Sequence, residues 1–451
     1  MRSNEAAFTF VFVMSLFNVI VCKTSFVKDQ RTDFVFPPVD QQIIAGIPEG
    51  HLRPLGWQKK PDGKVREEKD PITSQTFHLR YVKNSRPVVL RGLMKYASVA
   101  EKWEEDSYLK QKYGKLNVTI AVKKEVFNSE PKRNKRKMLF KKFLLDYMYE
   151  NWYLSSTVHE DMMAELPLPD ILSCGSYKER LTEAELWMSS GGTSSLLHSH
   201  GDHNLHCALD GRKDFILIDP KFKDVFKFQE TYPNSGSGHS PMDMEMINAF
   251  KHPGISQTPW IWSTLWHGDC IFVPAGYLHQ VRAYGRSISF TVQFAPVVDF
   301  EPSGCKEESK NKRRKKGKKD KEDDEQGGEE EKDVTEEQKL SLSDVEFVWA
   351  YSNGERHLKQ KKLVPSALRR ILSILLRDGD KLYQNQFKEF YEDVISEYAD
   401  RPSADEIFHI MTPNDNRNYV SRDEINALAE SRLQNVCDVF NKRFERVRDE
   451  L

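Results

Sequence analysis

Residues 187–220, WMSSGGTSSLLHSHGDHNLHCALDGRKDFILIDP, and residues 267–296, HGDCIFVPAGYLHQVRAYGRSISFTVQFAP, decide the fold. Each is a series of short apolar runs broken by Gly, Asp and Pro, with histidines where the runs begin or end. Such runs predict the strands of a small antiparallel β-barrel. His198 and His200 are two residues apart, so in an extended chain both imidazoles point to the same face. His279 follows the apolar run 271–273, closed by Pro274 and Gly276, and supplies a third imidazole from elsewhere in the barrel. Three imidazoles at a barrel mouth suit iron(II), zinc or copper and leave positions open for other ligands.

The string Leu197-His198-x5-Asn204-Leu205-x-Cys207, then Gly211-x-Lys213-x-Phe215 and Pro220, then Gly268-Asp269-x2-Phe272-x-Pro274-x4-His279-x-Val281, closely resembles the JmjC family. The resemblance covers about residues 85–300 and includes the opening 86–92, RPVVLRG. It implies a double-stranded β-helix, a cupin barrel that binds iron(II) and 2-oxoglutarate and hydroxylates or demethylates proteins or nucleic acids. On that analogy His198 and His279 are iron ligands and Lys213 pairs with the far carboxylate of 2-oxoglutarate. Asn204 and Ser195 or Thr193 line the cosubstrate pocket. A lysine suits that place, because a dianion in a partly dry barrel needs a fixed positive charge.

The chain departs from the family at the metal motif. His-x-Asp or His-x-Glu is replaced by His198-Ser199-His200, and a neutral imidazole leaves the site one unit more positive than a carboxylate would. Asp202 is the alternative to His200, since His200-Gly201-Asp202 is itself His-x-Asp. That register shortens the spacing to Asn204 and Lys213 by two residues, so His198 is the preferred ligand. His203 and His206 read as pocket or packing residues.

The chain has 451 residues, enough for more than one domain, and 39% hydrophobic residues with 11% aromatics allow a substantial core. A net charge of -1 gives nothing global that favours nucleic acid. Residues 1–22, with Arg2 ahead of the apolar run 6–22, predict a secretory signal peptide, and no other segment is long enough for a stable membrane span. The last four residues, Arg448, Asp449, Glu450 and Leu451, are a close variant of the Lys-Asp-Glu-Leu address. They predict the endoplasmic reticulum lumen and its retention receptor as a partner. Asn117-Val118-Thr119 is a glycosylation acceptor that suits a lumenal chain. Once Cys22 leaves with the signal, five cysteines remain without framework spacing. Cys207 and Cys270, in apolar runs, read as buried thiols, and a disulfide among Cys174, Cys305 and Cys437 is left open but not predicted.

Residues 23–84 read as an extended lead-in with little independent structure. Residues 85–300 form the cupin domain, opening with an α/β cap: a strand at 88–91, a helix at 98–113, a strand at 116–122 and a helix at 139–150. The stretch 221–262 is an insertion whose Gly, Ser and Pro at 232–238 mark a loop near the barrel mouth. Residues 301–341, a basic run 312–319 followed by an acidic one, predict a disordered linker, because so few apolar residues cannot offset the entropy of ordering. Residues 342–447 show helical spacing at 367–376, 387–398, 404–411 and 425–440, predicting a separate all-α domain. Its segment 413–424 resembles an EF-hand loop, with Asp415, Ser421 and Glu424 at positions three, nine and twelve, and 378–382 reads as a partner loop. Pro413, Arg417 and Asn418 replace key residues, predicting calcium binding that is weak or absent.

The fold class is thus α+β: a cupin barrel with an α/β cap, followed by an EF-hand-like helical domain. The leading function is an iron(II)/2-oxoglutarate-dependent protein hydroxylase with a protein substrate in the lumen. The altered metal motif keeps a catalytically inactive metal-binding adaptor open as the alternative. A three-histidine zinc hydrolase gives Lys213 and Asn204 no task. A nuclear histone demethylase, which the basic run would favour, conflicts with the lumenal signals.

Overall fold

A computed structural model describes residues 36–38, 44–123, 136–230, 236–305, 339–352, 355–359, 362–377, 379–395, 402–412 and 417–449. The signal segment 1–22, the basic run 312–319, most of the charged linker, Asp415, Glu450 and Leu451 lie outside the described residues. Among the described residues no helix is long and apolar enough to cross a membrane.

Two β-sheets make the body. The nine-stranded sheet carries at its centre Cys270–Val273, His203–Asp210, Ser287–Phe294 and Leu181–Ser189, in that order. The eight-stranded sheet carries Ile261–Leu265, Lys213–Ile218, Leu278–Ala283 and His198–Ser199. Their inner faces share one apolar cluster: Val89, Ala208, Ile271 and Val273 from the first pack with Phe215, Leu217 and Leu265 from the second. The two quoted stretches therefore interleave, His203–Asp210 pairing antiparallel with both Cys270–Val273 and Ser287–Phe294. Gly211 turns the chain from one sheet to the other at φ 75°, and a Cβ there would lie 2.1 Å from the Arg286 carbonyl. Only glycine meets both demands.

The outer face of the nine-stranded sheet is covered by the predicted cap. Its helix breaks into Ser98–Trp103 and Asp106–Tyr113, joined to the strand Asn117–Val122 and the helix Phe140–Asp146. Fully buried Phe77 meets Phe272 edge to face and Phe272 stacks on Phe294 there, and truncating one such ring costs about 3–5 kcal/mol. Asp269 of the second motif is structural: its carboxylate accepts from Arg91 Nη1 at 2.6 Å, Gly92 N at 3.0 Å and Trp266 N at 3.1 Å. It thereby ties the opening RPVVLRG segment to the barrel.

Three expectations need correction. The lead-in is built into the sheets: Gly63–Lys64 and Arg66–Glu68 add parallel strands, and Phe36, Leu55, Val65 and Phe77 are buried. Cys207 and Cys270 are not free thiols but a disulfide, as are Cys174 and Cys305; among the described residues Cys437 alone is free, and it is buried. The register sets Cys207 directly opposite Cys270 with Cα atoms 4.0 Å apart, within reach of a bridge. The third correction concerns the tail, which is neither all-α nor separate. Among the described residues it has, beside five α-helices, two ribbons, Trp349–Ser352 with Glu355–Leu358 and Lys381–Tyr383 with Tyr419–Ser421. The 425–440 segment is two helices, Arg422–Ala427 and Glu430–Asp449. The tail's apolar core includes Ala295 of the barrel, and Val348 N donates to Thr182 O at 3.0 Å.

Candidate functional site

The short strand His198–Ser199 lies beside Leu278–Ala283 with His198 directly opposite His279. His200 follows at the strand's end, where Gly276 N donates to its carbonyl at 2.8 Å and locks the two metal-motif loops together. One ligand atom from each of His198, His200 and His279 lies within 4.8 Å of the others. Ring centroids are 4.2 Å apart for His198–His279, 5.2 Å for His198–His200 and 5.5 Å for His200–His279.

His198 Nδ1 is 2.8 Å from Leu196 O and His279 Nδ1 is 3.0 Å from Tyr277 O. A carbonyl only accepts, so each Nδ1 carries the proton and the lone pair is on Nε2. Burial, then the neighbouring His198 and His200, holds the His279 imidazole well below its usual pKa, so it stays neutral and able to ligate. Among the described residues this is the only such group of His, Cys, Asp and Glu side chains. The third member is His200, not Asp202, whose charge acts instead on Arg180.

Behind the triad lies a cavity of about 670 Å³, counted to its open mouth. Thr193, Ser195, Asn204, Lys213 and the three histidines line it, along with Tyr153, Trp187, His206, Phe215, Val281 and Thr291. Lys213 is buried on the floor, its Nζ donating to Ser289 Oγ at 2.5 Å, with no carboxylate in ion-pair range among the described residues. Burial pulls its pKa down to about 7. His206 Nδ1 meets Thr291 Oγ1 at 2.8 Å, and that oxygen accepts from Trp187 Nε1 at 3.0 Å. His206 Nε2 and Asn204 Oδ1 are buried without a partner. An uncompensated lysine and two orphaned polar atoms facing one cavity fit a small anionic ligand beside a divalent metal.

Residues that motif spacing did not single out, Ser289 and Thr291, complete the floor. Their signal is the alternation in Ser287-Ile288-Ser289-Phe290-Thr291, which puts three hydroxyls on one strand face. Ser195 Oγ accepts from Val281 N at 3.0 Å, and Thr193 bonds Ser189, so both hydroxyls also shape the wall. His203 is a packing residue: Nδ1 accepts from Ala275 N at 2.9 Å and the ring packs on Phe272 and Phe294.

The remaining sequence candidates lie elsewhere. Asn117 is exposed at the start of its strand. Ser421 caps the helix Arg422–Ala427, and Glu424 Oε2 accepts from Ser421 N at 2.8 Å and Ser421 Oγ at 2.7 Å. Arg417 Nη2 sits 2.6 Å from Glu424 Oε1. The Ser421 bonds and Arg417 hold this carboxylate down at about 2, and both its oxygens are engaged within the protein.

Comparison with known proteins agrees with this geometry. A family model described as a cupin-like domain matches residues 74–300. Lysine-specific demethylase 8 of Xenopus tropicalis is 25% identical over 229 residues, 48% of this chain and 49% of the relative. JmjC domain-containing protein D of Dictyostelium discoideum is also 25% identical, over 49% of this chain and 54% of its own. The human bifunctional peptidase and (3S)-lysyl hydroxylase JMJD7 is 20% identical over 47% of this chain and 78% of its own. The chain spans about half the length of the first two. With the matched region taking in both sheets, the triad and Lys213, the chain belongs to the cupin-like family of JmjC-type domains.

Proposed function

We propose that this chain is an iron(II)- and 2-oxoglutarate-dependent protein hydroxylase of the endoplasmic reticulum lumen, built on a double-stranded β-helix. The observation that carries the reading is the pairing of three convergent imidazoles with an uncompensated lysine on the floor of the same cavity. When bound, iron(II) and 2-oxoglutarate would let dioxygen serve as the oxidant, one oxygen atom converting a C–H bond to C–OH and the other entering succinate as 2-oxoglutarate loses carbon dioxide. The chain's own residues bind and orient. Nε2 of His198 and His279, with His200, hold the metal. Lys213 Nζ and Ser289 take the far carboxylate of 2-oxoglutarate. His206 Nε2 and Asn204 offer the further polar contacts, and Phe215, Val273 and Val281 keep water from the floor. The names of two of these relatives, a lysine-specific demethylase and a lysyl hydroxylase, support a protein side chain as the target.

Lumenal residence is supported by the two disulfides, which persist in oxidising compartments. The signal and retention segments and the exposed Asn117 support it too. The helix–loop–helix pair joined by the Lys381–Tyr383 and Tyr419–Ser421 ribbon supports an EF-hand-like tail, which the Arg417–Glu424 pair makes calcium-independent. His200 in place of a carboxylate favours one second reading, a metal-binding adaptor without turnover. Succinate formation by the purified chain with iron(II), oxygen and 2-oxoglutarate separates the two. Turnover abolished by Lys213→Met supports the hydroxylase; metal bound without turnover, with turnover appearing in His200→Asp, supports the adaptor.

A further inference from the structure

Besides the triad, one more imidazole lines the cavity, that of His206. Strand pairing puts it there: His206 lies opposite Thr291, and Thr291 lies opposite Glu185, two residues before Trp187. Side chains two apart in a strand share a face, so Trp187, Thr291 and His206 meet inside the barrel. By the same rule Thr291 stands beside Ser289, the partner of Lys213 Nζ. The lysine and the imidazole are therefore carried on neighbouring hydroxyls of one strand face, and the Lys213 charge acts on the buried His206 ring.

The hydrogen bonds decide which nitrogen of His206 carries the proton. Trp187 Nε1 can only donate, so at 3.0 Å it takes a lone pair of Thr291 Oγ1. The Thr291 hydroxyl then has one hydrogen to place, and among the described residues the acceptor it meets is His206 Nδ1, 2.8 Å away. Placing the hydrogen there makes Nδ1 the acceptor and puts the imidazole proton on Nε2. The opposite tautomer would leave the buried hydroxyl hydrogen without an acceptor and aim a bare lone pair at the cavity, two unmet groups in place of one. Burial, then the Lys213 charge, holds the ring well below its usual pKa, so it is neutral. Nε2 itself is buried without a partner, a cost that a ligand atom meeting it would offset.

We propose that Thr291, one of whose lone pairs Trp187 occupies, is a positioning residue: it holds His206 as the Nε2–H tautomer, a neutral donor that meets a carboxylate oxygen of the small acid bound by Lys213. This rests on reading the cavity as the 2-oxoglutarate pocket, and it fixes the direction of one hydrogen bond there. A donor beside a cation takes an acceptor oxygen and rejects an N–H group, so the site sorts acids from amides without adding a second positive charge.

The test needs no turnover. Isotope-labelled histidine in the metal-free, full-length chain reports the tautomer by NMR, and His206→Phe identifies the signal by its loss. Calorimetry with N-oxalylglycine and zinc(II) reports affinity, and thermal melts check that each variant is folded. Thr291→Val keeps the side-chain shape and deletes the hydroxyl, whereas Thr291→Ser keeps the hydroxyl. Wild type and Thr291→Ser are expected to carry the proton on Nε2 and to bind within twofold of each other. Thr291→Val is expected to show the Nδ1–H tautomer as well and to bind at least fivefold more weakly, with no further loss when it is added to His206→Phe. A proton on Nδ1 in wild type, an unchanged tautomer and affinity in folded Thr291→Val, or an equal loss in the His206→Phe background overturns the proposal. Failure of the hydroxylase reading shows elsewhere, as absent succinate while N-oxalylglycine still binds through His206.

Discussion

Replacing Lys213 by Met has two effects of opposite sign, and together they test the pocket. Burial without a carboxylate partner takes Lys213 from the usual 10.5 to about 7. At 1.36 kcal/mol for each tenfold change, that displacement corresponds to on the order of 5 kcal/mol against the folded, ligand-free protein. The folded pKa is depressed, so between about 7 and 10.5 the unfolded chain binds more protons and stability rises with pH. The full penalty is present below pH 7 and is gone above 10.5. Lys213→Met of the metal-free, ligand-free chain is therefore more stable than wild type by roughly 4 kcal/mol at pH 7 and by about 1 kcal/mol at pH 9.5. Tryptophan-fluorescence melts at the two pH values read this as a gain of about 5 °C that shrinks on raising the pH. The same variant loses 2-oxoglutarate binding, and wild-type binding at pH 8 takes up a proton as the ligand's carboxylate recharges the amine, which calorimetry in buffers of different ionisation heat detects. A variant that is less stable than wild type, or equally stable at both pH values, refutes the claim that Lys213 is held desolvated in a site shaped to receive an anion.

His206→Phe keeps the ring volume but deletes the Nε2 group, so affinity for N-oxalylglycine, measured by Trp187 quenching, falls about tenfold; His206→Gln, which restores an N–H donor, recovers part of it. Cys207→Ser with Cys270→Ser lowers stability by about 2–5 kcal/mol in denaturant titration, and thiol titration of the unfolded, unreduced mature chain finds only Cys437. Calcium produces no heat in a titration of the wild-type chain, because Glu424 is already held by Ser421 and Arg417; a micromolar site seen by calorimetry contradicts that assignment.

The barrel and triad were legible because their signals are local. Alternation sets which side chains share a strand face, and His-x-His puts two ligands on one side whatever the rest of the chain does. The disulfides were not legible, since pairing Cys207 with Cys270 needs the strand register, and residues 63 apart carry no sign of it. The lead-in escaped for the same reason: Gly63–Lys64 finds its partner at Ile261–Trp262, a long-range parallel pairing. Ser421 and Glu424 show a different failure. The motif Ser-x-x-Glu ahead of a helix is also a capping box, and the structure uses it that way, with Arg417 pairing the same Glu424 carboxylate. Arg180 reaches Ser373 only because the tail folds onto the barrel, a contact that no periodicity encodes.

The central claim is that three imidazoles and one buried lysine make a single site for a divalent metal and a small dianion. Metal titration of the full-length chain, with and without 2-oxoglutarate and with His198→Ala and His279→Ala as controls, tests it most directly. The account predicts one metal per chain, lost in either variant, and 2-oxoglutarate affinity raised at least tenfold by the metal in wild type only. Metal binding unchanged in both histidine variants, or 2-oxoglutarate binding indifferent to metal and to Lys213, contradicts it.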